Sequence, residues 1–201
     1  MRTVGIILFT DVEVLDFAGP FEVFSVTGRR DYTNPFDVFT IAETSHPVAA
    51  RNNLIITPTH SFERCPRIDI LVVPGGYGTR REMLNERLLE FVVSRSASAE
   101  IVLSICTGAL ILGQAGLLDG FPVTTHHLAI DELKKAAPAA LVQADRRIID
   151  NGKFVIAAGV SSGIDASFHV VAKLLGNKAA EETAHYIEYP LILKPNSQSY
   201  S

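Results

Sequence analysis

Cysteine is scarce in this chain: Cys65 and Cys106 are the only two among 201 residues. Two thiols make neither a disulfide framework nor a four-ligand zinc set, so each needs its own explanation. Long hydrophobic runs are also missing. No window of about 18 uncharged apolar residues occurs, so no membrane-spanning helix is expected. The apolar opening at residues 4–9 is too short for a secretory leader, and no small-residue cleavage site follows it. A cytoplasmic protein is the default expectation. Dense Lys/Arg runs are absent, and 22 acidic side chains outnumber 18 basic ones for a formal net charge of −4. That balance disfavours a nucleic-acid surface.

What is present describes an ordinary globular chain. Hydrophobic residues make up 47% of the sequence and charged residues 20%, too apolar a mixture for disorder. The length suits one domain, expected over residues 1–190, with a polar tail at 191–201. Short apolar β-rich runs recur at 4–9, 36–42, 68–73, 101–105 and 154–158. Runs of this length without strict alternation fit strands buried on both faces. Helical patterns lie between them: one after Pro20, one around residues 83–93, one from Ala109 to Leu117, and two more at 128–137 and 166–175. Strand then helix, repeated, predicts an α/β fold with a mainly parallel sheet and helices on both faces. Two segments depart from this pattern. Residues 44–62 read as short strands and turns. Residues 146–156 read as a hairpin whose type I′ turn is Asn151-Gly152.

Three places carry chemistry. The run at 101–105 ends abruptly on Cys106, and Thr107-Gly108-Ala109 opens a helical pattern. A thiol at such an elbow meets free N–H groups and the positive end of a helix dipole, which lower its pKa. A small buried hydrophobe is an equally good reading of the residue alone. Cys65, in the polar turn Glu63-Arg64-Cys65-Pro66-Arg67, reads as incidental. Pro74-Gly75-Gly76-Tyr77-Gly78 follows another strand, where glycines let the backbone approach a ligand. The spacing matches neither a Walker loop nor a Rossmann fingerprint. Asp11, Glu13 and Asp16 follow the first strand at the same sheet edge. Asp11 and Glu13 read as solvated. Asp16, beside Leu15, Phe17 and Ala18, is either a helix cap or a carboxylate with a raised pKa that shares a proton with a thiol.

Together these segments resemble the ThiJ/PfpI family of the class I glutamine-amidotransferase-like superfamily. The resemblance rests on Asp16-Phe17-Ala18-Gly19-Pro20-Phe21-Glu22-Val23-Phe24, Val73-Pro74-Gly75-Gly76 and Ser104-Ile105-Cys106-Thr107-Gly108-Ala109. Thr124-Thr125-His126-His127 and Ala158-Gly159-Val160-Ser161-Ser162-Gly163-Ile164-Asp165 add to it. It looks most like the isonitrile hydratase branch, and also like the ligand-sensing domains of some AraC-type regulators. It implies a flavodoxin-like three-layer sandwich with Cys106 on a strained nucleophile elbow, and a homodimer.

It further implies that Cys106 is the nucleophile, that Asp16 is its acid/base partner, and that Gly76 and Thr107 supply backbone N–H groups. Family proteases carry a histidine directly after the cysteine; Thr107 stands there instead, which makes a protease the least favoured reading. His127 stands where the hydratase branch more often has an aromatic. Gly75, Tyr77, His126 and Gly163 are expected around a small-molecule substrate, with pocket side chains drawn from 77–82, 126–130 and 161–165. No metal and no organic cofactor is expected. The length leaves no room for a regulator's DNA-binding segment after residue 190. The function expected is hydration of an isonitrile to an N-substituted formamide. A glyoxalase or deglycase acting on reactive carbonyls, and a non-enzymatic redox or ligand sensor, are the alternatives.

Overall fold

The computed structural model describes residues 1–191. The expected polar tail therefore falls, from residue 192 onward, outside the described residues. The strands of the main sheet come where the apolar runs lie: β1 (Arg2–Ile7), β2 (Phe36–Ala42), β6 (Ile70–Val73), β7 (Ile101–Ile105) and β11 (Phe154–Ala157). Two short strands complete it, β5 (His60–Ser61) on one edge and β10 (Ile148–Asp150) on the other. The seven-stranded order is β10-β11-β7-β6-β1-β2-β5. Every pairing in it is parallel except β10 with β11. Residues such as Ile6, Ile7, Leu71, Val72, Leu103 and Ile105 are buried whichever sheet face they occupy. Cover on both faces is what makes such strands continuously apolar instead of alternating.

Small pairs decorate this frame. β3 (Val48–Ala49) and β4 (Ile55–Ile56) form an antiparallel hairpin, and β8 (Pro122–Val123) pairs in parallel with β9 (Leu141–Val142). One face of the sheet carries α1 (Val14–Val26), α6 (Ser162–Leu175) and α7 (Asn177–Tyr186). The other carries α2 (Thr79–Glu82), α3 (Glu86–Ser98), α4 (Gly108–Gln114) and α5 (Ile130–Ala136). This is the flavodoxin-like three-layer arrangement. Its strand order reverses between β1 and β6, and such a switch point opens a crevice at the strand C-termini.

Three details differ from the sequence reading. First, α1 begins at Val14 and carries Pro20 inside it, not before it. Proline has no N–H, so the Asp16 carbonyl lacks its i+4 donor; packing of α1 against α6 holds the helix together across the break. Second, α7 is an additional helix, buried through Ala180, Thr183 and Ala184. Third, the hairpin turn is shifted by one residue. Asn151 donates its N–H to the Phe154 carbonyl at 2.8 Å, so Gly152 and Lys153 form the turn. Gly152 alone of the turn residues has a positive φ, 83°, whereas a type I′ turn needs two.

Candidate active site

The switch point puts the ends of β1, β6 and β7 side by side, and the three chemical segments meet there. Cys106 directly follows β7 and adopts φ 55°, left-handed backbone for a non-glycine residue. The conformation is fixed on several sides. The Cys106 N–H donates to the carbonyls of Ala157 and Ala158 at 3.2 and 2.7 Å, and the Thr125 hydroxyl donates to the Cys106 carbonyl at 2.7 Å. The strained elbow expected from the sequence is present.

Asp16 is the third residue of α1 and fully buried, with no capping role. Its Oδ2 accepts the Gly75 N–H at 2.9 Å. Its Oδ1 is buried with no hydrogen-bond partner. Removal from water pushes the carboxyl up from 3.8 to about 7; the Gly75 N–H pulls it down, the Glu13 charge adds to the rise, and the Cys106 thiol pulls it down. The close approach needs glycine at 75: a Cβ there would lie 2.7 Å from Thr107 Oγ1 and 2.9 Å from Asp16 Oδ2. Gly76 takes φ 128°, which only glycine adopts without strain.

The thiol departs from the sequence expectation. Desolvation pushes Cys106 up to about 12, and the Asp16 charge raises it further. The N–H groups of Val160 and Thr107, and the Thr107 hydroxyl, act the other way and are outweighed. The dipole argument fails here because the sulfur is almost wholly out of water and α4 is a short helix starting two residues later. The Asp16 charge disfavours a thiolate at Cys106, while the Cys106 thiol favours the Asp16 carboxylate, so the pair keeps one proton, on sulfur, between about pH 7 and pH 12.

The glycine loop also differs. The Gly76 N–H is taken up by Thr107 Oγ1 at 3.0 Å, and the Thr107 hydroxyl donates back to the Gly76 carbonyl at 3.1 Å. It is therefore not a free donor for developing charge. The backbone N–H groups of Thr107 and Val160 are the ones that hydrogen-bond the Cys106 sulfur. Val160 was not singled out from the sequence, although it lies inside a quoted motif. It is β-branched and has φ 39°, a strain of about 1–3 kcal/mol that persists only where neighbours over-determine the backbone. Arg147 does so: its guanidinium binds Ser161 Oγ at 3.3 Å and Asp165 Oδ2 at 2.7 Å, and its carbonyl accepts the Ala158 N–H at 2.9 Å. Tyr189 completes the clamp by donating to Asp165 Oδ1 at 2.7 Å.

Tyr77 and His126 stand at the rim. The Tyr77 ring is 69% exposed. His126 is half-buried, packs on Gly159 and stacks on the exposed His127 at 4.4 Å between ring centroids. Its Nδ1 accepts the Leu128 N–H at 3.2 Å, so the neutral ring carries its proton on Nε2. Desolvation lowers its pKa, helped by His127 and Arg80 and opposed by Glu13. Gly163 is not at the mouth: it is buried in α6, and a Cβ there would meet Ile105 Cγ2 at 2.9 Å, so it serves helix-to-strand packing. Asp11 and Glu13, expected to be solvated, are half-buried. Cys65 is half-buried, its thiol donating to the Pro66 carbonyl at 3.3 Å. Among the described residues no three His, Cys, Asp or Glu side chains gather to hold a metal, and no helix is long and apolar enough to cross a membrane.

Comparison with known proteins gives a consistent result. Residues 2–173 match the family described as DJ-1/PfpI. An isonitrile hydratase from Pseudomonas putida is 33% identical over 186 residues, covering 92% of this chain and 78% of that protein. An HTH-type transcriptional regulator from Pseudomonas aeruginosa is 22% identical over 95% of this chain, which spans only 52% of the regulator. Among solved structures, a ThiJ/PfpI family protein from Pseudomonas syringae superposes with a TM-score of 0.84 at 30% identity, covering 98% of this chain and 79% of that one. Drosophila melanogaster DJ-1beta superposes at 0.82 with 17% identity, covering 94% and 98%, a likeness of fold alone.

Proposed function

Because the chain belongs to the DJ-1/PfpI family, we propose that its cysteine elbow is the active site of an isonitrile hydratase-like lyase. The observation that carries this reading is the buried Asp16–Cys106 pair with one proton between them and an unpartnered Asp16 Oδ1.

The reaction needs a proton moved as the nucleophile forms. Asp16 takes the thiol proton, and the resulting thiolate forms an S–C bond to the terminal carbon of R–N≡C. The same proton passes from Asp16 to that carbon, leaving a covalent thioimidate, R–N=CH–S–Cys106. Asp16, ionised again, takes a proton from water as the water oxygen adds to the carbon and passes that proton to nitrogen. The S–C bond breaks as the proton of the new hydroxyl passes by way of Asp16 to sulfur, R–NH–CHO leaves and the thiol is restored. Overall one water is consumed and nothing is oxidised or reduced. The N–H groups of Thr107 and Val160 face the sulfur and stabilise charge on it, in a site nearly free of water. The Thr107 hydroxyl, held by Gly76, keeps the glycine loop against the elbow.

Formamide production from cyclohexyl isocyanide tests the reading, with methylglyoxal as a second substrate. Turnover of the isonitrile that disappears in Cys106→Ala supports it. Turnover of methylglyoxal alone would assign the same pair to carbonyl chemistry. Selective oxidation of Cys106 by dilute peroxide without any turnover would make the protein a sensor. A homodimer and a cytoplasmic setting belong to this proposal, and light scattering checks the first.

A further inference from the structure

Resting on the hydratase reading, we propose that the substrate carries a carboxylate, held at the mouth of the site by Arg51 beside Tyr77. Val12 brings these residues together. It forms an antiparallel bridge with Gly76, and its carbonyl accepts the Arg51 N–H at 2.9 Å. Residue 51 is thereby tied to the same post as the glycine loop that touches Asp16 and Thr107. The Arg51 guanidinium lies 5.4 Å from the Tyr77 ring centroid and that of Arg80 lies 5.9 Å away, so the exposed ring is within reach of two cations.

The two cations are not equivalent. Arg80 is saturated: Glu132 accepts from Nε and Nη2 at 2.8 and 2.7 Å, and Nη1 reaches the Gly76 carbonyl at 3.3 Å. Arg51 is exposed and makes no ion pair among the described residues. The acid facing the mouth just before α1 is Glu13, whose charge acts on Asp16 and His126. In a chain of net charge −4, an exposed guanidinium set against the Tyr77 ring with no ion pair among the described residues is a specific feature. A guanidinium fork matches a carboxylate in shape and charge. The Tyr77 face offers apolar cover to the carbons joining that carboxylate to the isonitrile. The class inferred is an isocyano carboxylate.

Thiol alkylation tests the subsite without relying on turnover. In a Cys65→Ser background, intact mass follows the reaction of Cys106 with anionic iodoacetate and neutral iodoacetamide. The iodoacetate-to-iodoacetamide rate ratio is expected to fall about tenfold in Arg51→Gln and to be largely kept in Arg51→Lys. An unchanged ratio in Arg51→Gln overturns the proposal. In the second arm, kcat/KM for isocyanoacetate is expected to fall about tenfold more than that for cyclohexyl isocyanide in Arg51→Gln. Equal losses for the two substrates would also overturn it while leaving the hydratase reading standing. A ratio that falls although neither isonitrile is consumed keeps the anion subsite and removes the hydratase reading.

Discussion

Two aspartates of this chain are drawn out of water to very different effect. Asp16 and Asp150 would both be raised by burial. At Asp150 the rise is overcome by His169, Lys173 and the Gly152 N–H, which hold the carboxyl down at about 2. Lys173 Nζ reaches its two oxygens at 2.7 and 2.9 Å, and His169 Nε2 lies 2.7 Å from Oδ2. Asp16 has no cation, one N–H donor and an empty acceptor, and rises to about 7. Burial alone therefore says little about a carboxylate's role; its partners decide. A satisfied group fastens the hairpin to α6. A half-satisfied one is kept ready to take a proton.

The comparison makes opposite predictions at the two sites. The largest effect is expected at the elbow: Cys106→Ala removes turnover, and Asp16→Asn lowers kcat by about 10²–10⁴-fold. The same Asp16→Asn should stabilise the fold above pH 7. The folded pKa of Asp16 lies above its unfolded value, so its contribution is full below about pH 4 and lost as pH rises through about 7. A gain of about 1–3 kcal/mol in urea unfolding at pH 8 is expected; a loss there would break the contrast.

Asp150→Asn should do the reverse. The folded pKa of Asp150 is depressed, so its contribution is full above about pH 4 and lost as pH falls through about 2. At pH 7 the variant should lose about 2 kcal/mol while keeping wild-type kcat. A smaller effect is expected in the pH profile: kcat/KM should climb through about pH 7 as Asp16 ionises. Smallest of all is Cys65→Ser, which should change stability by no more than about 0.5 kcal/mol and leave turnover intact.

Much of this was legible in the chain. Five apolar runs became five strands because a parallel sheet covered on both faces demands apolar side chains at successive positions. The elbow and the glycine pair were legible because a strand ending on Cys106 and another on Gly75-Gly76 place both at one sheet edge. The rest depended on contacts that linear order does not carry. The sign of the thiol's shift came from loss of water around the sulfur, outweighing a helix start that was visible. The Gly76 N–H was lost to Thr107, 31 residues away. Val160 lies between Ala158 and Ser161, both held by Arg147, and nothing at position 160 announces a left-handed backbone. The start of α1 was misplaced because Pro20 reads as a boundary until α6 packs across it. α7 was missed because its buried side is small, Ala180 and Ala184 with Thr183 between, which gives a faint apolar stripe.

The lengths of the outer strands have a consequence for self-association. The sheet is bounded by β5, two residues long, and β10, three residues long and antiparallel to its neighbour. Stubs of this size expose too few free backbone donors and acceptors to template a strand from another molecule. Among the described residues, continuation of the main sheet into an aggregate is thereby disfavoured at both ends.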